Sequence, residues 1–408
     1  MRKLVIIYSL VLPFLLKGQD PSFSQFDLNL MYNNPSLSGF EGMVKTTIHS
    51  RNQWNFINEN FNNSIFELSG SIRLNPNSRK YSTRWTPGVG VISEDLGFTN
   101  LGNTVFINRN EVSLYPASFN MKLKNNIYLC YGAGLNLRKY SLNSKDLVFS
   151  DQWSSFGSFN PLSGAPIDQF IQDDLIVDGS FGVTLVRQGK YQSTQTNRII
   201  IGASLNHITK PNESLFGNIS EDTKIPMKHN IHAEWFYGFP KQKRVFIPYV
   251  KSLFKHERYS KNSPMNIFKE SLISKTEFGG TAFINNLPIE TGFLWRICKD
   301  NRNKFHAQTL VSVFRYRFKR DNLWMINYSY DWNINKNIDN LNFANTGTTH
   351  ELGIGIYLTG SSRGGFGFGR GKGSNECPAF MGNSALFQDI YDGGLINNKK
   401  SKKNFKIR

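Results

Sequence analysis

Charged side chains recur at two-residue spacing, on a single phase, in several stretches of this 408-residue chain. Lys45, His49 and Arg51 share a phase in "VKTTIHSRNQ", Glu67 and Arg73 share one in "FELSGSIR", and Arg138, Glu234, Glu290, Arg296, Arg315, Arg317, Asp331 and Glu351 occupy comparable settings. Residues i and i+2 of a strand point to the same face, so such rows would line an interior. Two uses are open: the charges bind a polypeptide ligand or line a pore, or they pair with one another and fill the space. Catalysis finds no support. A hydrolase needs nucleophile, base and oxyanion donor together, and the chain has no G-x-S-x-G, no His-Glu-x-x-His and no phosphate-binding glycine loop. His229 and His232, three apart, face opposite sides of a strand and would not share a metal. Cys130, Cys298 and Cys377 are too widely spaced for a zinc or redox motif and allow at most one disulfide. No enzyme activity, metal or cofactor is expected.

The elements that position these charges show in the rhythm of the apolar residues. Phe66, Leu68, Gly70, Ile72 and Leu74 alternate with Glu67, Ser69, Ser71 and Arg73; Ile127 to Leu137 alternate with Tyr128 to Arg138; Leu175 to Leu185 alternate with Asp178, Ser180, Gly182 and Thr184. Trp324, Ile326, Tyr328, Tyr330 and Trp332 repeat the pattern with aromatic ends, as do Leu352, Ile354, Ile356 and Leu358 without them. Segments of about ten residues, apolar on one face and small or polar on the other, are the mark of a transmembrane β-barrel. The template places strands near 43–54, 62–74, 87–95, 110–123, 126–138, 174–187, 197–207, 228–238, 243–254, 269–284, 288–298, 305–318, 321–333 and 348–359. That makes about fourteen antiparallel strands, an even number as single-chain bacterial barrels require. Long connections are expected at 139–173, 208–227, 255–268 and 334–347. A soluble two-sheet sandwich would also alternate, but its polar face would be rich in Lys and Glu, whereas here Gly and Ser dominate. At mid-depth on a lipid face an Arg would cost about 2–4 kcal/mol, so the charges belong inside.

The start "MRKLVIIYSLVLPFLLKG" has Arg2 and Lys3 before an apolar run too short to span a bilayer, which is the form of a cleaved signal peptide over residues 1–18. Export also decides among the partners that a net charge of +18 would suit: anionic lipid or an acidic protein, and not nucleic acid. The segment "SSRGGFGFGRGKG" from Ser361 is then a flexible linker rather than an RNA-binding repeat. It leads to a basic tail ending "KKSKKNFKIR", which is either simply solvated or meets an acidic periplasmic partner or the anionic cell-wall layer. Within Ser141 to Asp173, Trp153, Phe156, Phe159 and Phe170 are candidates for an outward contact surface or an inward lid.

"QDPSFSQFDLNLMYNNPSLSGF", Gln19 to Phe40, fits neither helix nor strand periodicity. It resembles the N-terminal signature of the PorP/SprF family of type IX secretion membrane proteins: Gln19, Asp20, Pro21, Phe23, Ser24 and Gln25, with Phe26 where Tyr is usual, and then Asn34, Pro35 and Gly39. "RNQW" from Arg51, "GVGVISEDLGFTN" from Gly88 and "CPAF", with Cys377, Pro378 and Phe380, extend the resemblance along most of the chain. The chain departs from the pattern in its residues beyond "CPAF" and in lacking Gly-Ala-Pro after the Gln-Trp. The resemblance implies an outer-membrane barrel of the secretion and gliding machinery of Bacteroidetes-type bacteria. Its implied partners are secreted surface proteins such as adhesins, held through their C-terminal sorting domains, and periplasmic, peptidoglycan-associated components. The expected layout is a signal peptide at 1–18, the signature segment at 19–40, a barrel at 41–360, and linker plus tail at 361–408. The signature segment would begin in the periplasm and either fold into the lumen as a plug or remain a disordered tail. A passive channel or hydrophobic-solute transporter is the alternative function.

Overall fold

A computed structural model of the chain describes residues 20–40, 44–53, 61–74, 83–100, 103–123, 127–142, 175–188, 196–212, 224–238, 249–260, 272–284, 289–300, 305–319, 323–334 and 349–358. After three short helical turns, at Phe26–Leu28, Leu30–Asn33 and Pro35–Leu37, every element is a strand. They are β1 Val44–Gln53, β2 Phe61–Ser69, β3 Ile72–Arg73, β4 Thr83–Trp85, β5 Gly88–Asn100, β6 Asn103–Lys122, β7 Ile127–Leu142, β8 Ile176–Gln188, β9 Thr196–Asn206 and β10 Lys228–Gly238. The series continues with β11 Tyr249–Tyr259, β12 Leu272–Ile284, β13 Ile289–Asp300, β14 Phe305–Lys319, β15 Leu323–Asn333 and β16 Thr349–Leu358.

The sheet closes on itself. Apart from the short β3 and β4, each strand pairs antiparallel with its neighbours in the chain, β2 with β5 and β6 with β7 among them, and the last strand pairs with the first, from Val44↔Leu358 to Asn52↔His350. β3 and β4 only prolong β2 and β5 beyond Gly70–Ser71 and Thr86–Pro87, so the circuit has fourteen strands, the number read from the sequence. β6 is irregular at the same level. Tyr115 and Pro116 are skipped in the β6–β7 ladder, because proline offers no N–H to it; the freed Pro116 carbonyl accepts the indole N–H of Trp85 on β4 at 2.7 Å.

Alternation along the strands separates two environments. On β1, Ile48 is 57% exposed between the buried Thr47 and His49. Val177, Phe181, Val183 and Leu185 on β8, Ile199 and Ile201 on β9, and Ile326 and Tyr328 on β15 are exposed in the same way, while the residues between them are buried. Exposed aliphatic rows around a closed sheet form the lipid-facing wall, and closure leaves no strand edge unpaired in hydrocarbon.

Both β1 and β16 have their outer ends, Val44 and Leu358, at one rim. Apart from the β3–β4 extension, strand direction assigns the connections 123–126, 189–195, 239–248, 285–288 and 320–322 to that rim, and 54–60, 101–102, 143–175, 207–227, 260–271, 301–304 and 334–348 to the opposite rim. The four longest of these connections thus share one rim, together with three short ones. Some boundaries move. The strand placed at 243–254 is Tyr249–Tyr259, starting directly after Pro248, and the one placed at 87–95 runs on to Asn100. In both cases charged residues on the outward phase, such as His256 and Arg258 or Asp95, hid the dyad where the strands extend past the apolar band.

An Ile201→Arg substitution, at mid-length of β9, is expected to lower barrel stability by about 2–4 kcal/mol, read from urea unfolding in lipid vesicles. Little change would place Ile201 off the lipid face.

Candidate functional site

The interior is occupied by the chain's own residues 20–40. Phe23, Ser24, Gln25, Leu28, Asn29, Met31, Asn34, Ser36 and Leu37 are all buried, and their partners lie on strands all around the wall. Gln19, Cys377, Pro378 and Phe380 of the family signature, Trp153, Phe156, Phe159 and Phe170, and the side chain of Arg73 lie outside the described residues.

Asp20 marks one end of this segment. Its carboxylate accepts from Arg109 Nη2 at 3.2 Å, His207 Nε2 at 2.7 Å and Lys228 Nζ at 3.1 Å, with Tyr259 Oη at 3.5 Å and Arg138 Nη2 at 3.8 Å. His207 Nδ1 meets Asp178 at 2.6 Å, while Arg109 and Arg138 also hold Glu111 at 2.9 and 2.8 Å. Burial pushes the Asp20 carboxyl up, but the charges of His207, Lys228 and Arg109 outweigh it and hold the group well below the usual carboxylate range. Lys228 and Tyr259 are strand ends at the long-loop rim. The described start of the segment thus sits at the rim opposite to β1, whereas the sequence suggested a periplasmic start; the cations that neutralise Asp20 are at that rim.

Deeper in, the Ser24 backbone N–H donates to both oxygens of Glu351 at 2.8 and 3.0 Å, and its hydroxyl lies 3.1 Å from Asp331. Arg51 bridges Asp331 at 3.0 Å and also pairs with Glu351; Arg296 holds Asp331 and Glu277, each at 2.6 Å; His49 Nε2 is 3.2 Å from Glu351. Asp27 is the centre of a third group, paired with Lys251 and, at 2.7 Å, with Arg315. Arg315 and Arg317 share Glu290, each at 2.6 Å, Lys251 and Arg198 share Glu234 at 2.7 and 2.9 Å, and Lys45 Nζ donates to the Asp27 carbonyl at 2.6 Å. Burial again opposes ionisation of Asp27, and Arg315 with Lys251 overcomes it and holds the carboxyl far below its usual range. Glu67 accepts the Tyr32 backbone N–H at 2.8 Å, and the Tyr32 hydroxyl donates to Pro21 O at 2.7 Å.

Amide side chains contribute as well. Asn34 Nδ2 donates to Thr184 at 3.1 Å while its Oδ1 caps the next turn through Ser36 N at 3.0 Å; Asn29 meets His49 at 2.7 Å and Gln25 meets Ser329 at 3.2 Å. Asn34 presses on Gly182 so closely that any Cβ there would collide. Gly39 ends the segment at φ +53°, against Gly70 and Thr86, a backbone region that disfavours side chains. Two residual cavities, one beside Met31 and Glu67 and one beside Tyr32 and Tyr115, are about 10 Å³ each, room for roughly one water.

The predicted lumen residues Lys45, His49, Arg51, Glu67, Arg138, Glu234, Glu290, Arg296, Arg315, Arg317, Asp331 and Glu351 are all buried inside the barrel. They are members of linked ion-pair groups, the second of the two uses that the sequence left open. Two classes were missed. Arg109, Lys228, Lys251 and His207 are direct partners of the segment, with Asp178 behind His207, and Lys251 and Lys228 stand on the very phase that flags Glu234. The second class is apolar: Tyr128, Cys130, Val186, Ile200, Leu253, Leu294, Val311 and Val313 point inward and pack on Phe26, Leu30, Leu37 and Phe40. A lumen lined only by small and polar residues was expected; the apolar floor exists because this segment covers it. Cys130 and Cys298 carry no disulfide. His229 is exposed and His232 buried, on opposite faces of β10.

With this geometry in view, the chain matches the family model "Type IX secretion system membrane protein PorP/SprF" over residues 15–356. The chain belongs to the PorP/SprF family. No curated protein matches it. Solved structures similar to this PorP/SprF chain include a FadL homologue of Pseudomonas aeruginosa (TM-score 0.40, 8% identity, covering 81% of this chain and 94% of that chain). The Pseudomonas putida toluene transporter TodX gives a TM-score of 0.36 at 9% identity over 84% and 95%, and the β domain of the Bordetella autotransporter BrkA 0.36 at 8% over 78% and 98%. As a PorP/SprF protein with a closed, apolar-walled barrel, it is an outer-membrane component of type IX secretion.

Deleting Gln19 to Asn34 should raise ion conductance in planar bilayers or lower barrel stability; unchanged values of both would refute a plug. A Gly182→Val variant should expose the segment to protease without unfolding the barrel. Depressed carboxylates stabilise docking at every pH above their free value of about 3.9 and lose that contribution as pH falls through the still lower bound value. Protease protection of residues 20–40 should therefore hold from pH 7 to about 4 and fail only in stronger acid. Release already near pH 6 would show that these carboxylates do not control docking.

Proposed function

We propose that this PorP/SprF barrel is a non-catalytic receptor that retains a secreted surface protein at the cell surface and links it to periplasmic components of the secretion machinery. The observation that carries this reading is the filled lumen. A barrel whose interior is occupied by Asp20 to Phe40, held by ion pairs from β6, β7, β10, β11 and β14 and by hydrogen bonds from further strands, offers its rims rather than its bore as working surfaces. The long connections 143–175, 207–227, 260–271 and 334–348 all belong to one rim, where a secreted protein would be met. At the other rim the chain leaves β16 towards its glycine-rich linker and basic tail, which suit an acidic periplasmic partner or the anionic cell-wall layer. Within this reading the lumen charges hold the plug rather than the cargo, and Trp153, Phe156, Phe159 and Phe170 are cargo contacts.

Affinity purification from native membranes tests both ends. The full chain should bring down a large secreted protein carrying a C-terminal sorting domain, and truncation after Phe380 should lose the periplasmic partner while keeping the secreted one. Periplasmic capture that survives the truncation would remove the tail from the reading. Recovery of no secreted protein, together with high single-channel conductance of the intact chain, would favour a channel or hydrophobic-solute transporter instead.

A further inference from the structure

The outer wall carries one feature that neither the plug nor the rims use. At the long-loop rim, four consecutive strands present a directly cross-paired, outward-facing row: His229 of β10 opposite Arg258 of β11, Arg258 opposite Ser274 of β12, and Ser274 opposite Lys299 of β13. His229 and Arg258 are exposed, Ser274 and Lys299 half-exposed. One step below, His256 Nδ1 sits 2.8 Å from Thr276 Oγ1, and both Arg258 and Lys299 act electrostatically on His256. Below that lies a bare apolar surface of Ile231, Phe254, Phe278 and Phe293. Among the described side chains, which on β13 end at Lys299, no Asp or Glu takes an outward position on these four strands, and none of their outward positions at the opposite rim is Lys or Arg.

We infer that this row binds a phosphate group on the headgroup of an anionic glycolipid in the outer leaflet. Neighbouring strands are about 4.8 Å apart, so Arg258 and Lys299 flank Ser274 at a distance their long side chains can close over one phosphate, with the Ser274 hydroxyl beneath it. Arg supplies a planar fork and Lys a point charge, the two modes by which proteins hold phosphate. The apolar surface below takes acyl chains, which a free phosphate ion would leave bare. The asymmetry of the loops places the row at the outer rather than the inner leaflet. Of the other strands at this rim, β1, β2, β5 and β6 carry Ser50, Ser64, Ser93 and Asn110, β15 and β16 carry Tyr330, Trp332 and His350, and β7 carries one outward cation, Lys139, opposite the uncharged Asn110. A row that brings two cations to one hydroxyl would orient the barrel within a lipid or protein assembly.

The test is native mass spectrometry of the full chain released from phosphatidylcholine nanodiscs doped with diphosphoryl lipid A. The wild type should retain the lipid, and an Arg258→Gln/Lys299→Gln variant should bind it roughly 30-fold more weakly, from about fivefold per basic residue at an anionic surface. Lys139→Gln, the same charge change on β7, should bind as the wild type does. If the double variant fails to fold, Ser274→Asp serves in its place, since a carboxylate between the two cations should give a comparable loss. Binding within threefold of wild type in the folded variant, an equal loss in Lys139→Gln, or full displacement by millimolar inorganic phosphate would each overturn the inference.

Discussion

Charge balance inside a low-dielectric barrel is the constraint from which the rest of this structure follows. Among the described residues, thirteen buried Lys and Arg on the wall face ten buried Asp and Glu, and an unpaired buried charge is costly, about 3–5 kcal/mol when a partner is taken away. Asp20 and Asp27 bring the missing negative charge, and each lands where cations outnumber carboxylates: Asp20 among Arg109, Arg138, His207 and Lys228, Asp27 between Lys251 and Arg315. The wall and the N-terminal segment are thus two halves of one electrostatic structure. Neither half is well solvated alone.

The apolar contacts follow the same logic at shorter range. Leu28 packs with Met325 and Tyr357, and Phe23 with Ile65 and Ile92, so inward-facing hydrophobic side chains that would otherwise line water are covered. Burial of an aliphatic or aromatic side chain contributes about 1.5–3 kcal/mol. Phe23, Phe26, Leu28, Leu30, Leu37 and Phe40 together give the segment a large apolar stake, and the ion pairs fix where it sits. This division explains a stretch with too many apolar residues for a linker and no periodicity. Its neighbours are a curved wall rather than a flat sheet or a helix.

Much of the barrel was legible because lipid enforces alternation. Phe181 and Val183 against Ser180 and Gly182, or Ile354 and Ile356 against Gly353 and Gly355, can be read in only one phase, and an even strand number is what antiparallel closure from β16 to β1 requires. Legibility failed where the chain leaves the apolar band. In "KHERY" both faces of β11 are charged, Lys255 and Glu257 inward and His256 and Arg258 outward, so no dyad marks the strand. The interior was half legible. Arg51, Arg296, Asp331 and Glu351 showed their phase, but which of them meet depends on the shear that places β1, β13, β15 and β16 around Ser24, and no local spacing encodes that. Leu253, Leu294 and Val311 were hidden for a different reason, since an inward apolar residue makes sense only once something is known to cover it.

The path of residues 20–40 through the bore, from the Asp20 cluster at one rim to Val44 at the other, also dictates an order of assembly. A cylinder already zipped between Val44↔Leu358 and Asn52↔His350 could receive that stretch only by threading it lengthwise past bulky side chains. The simpler route lays the stretch against an open, curled sheet and draws the final seam shut around it, so that the N-terminal residues act as a mandrel on which the cylinder is formed.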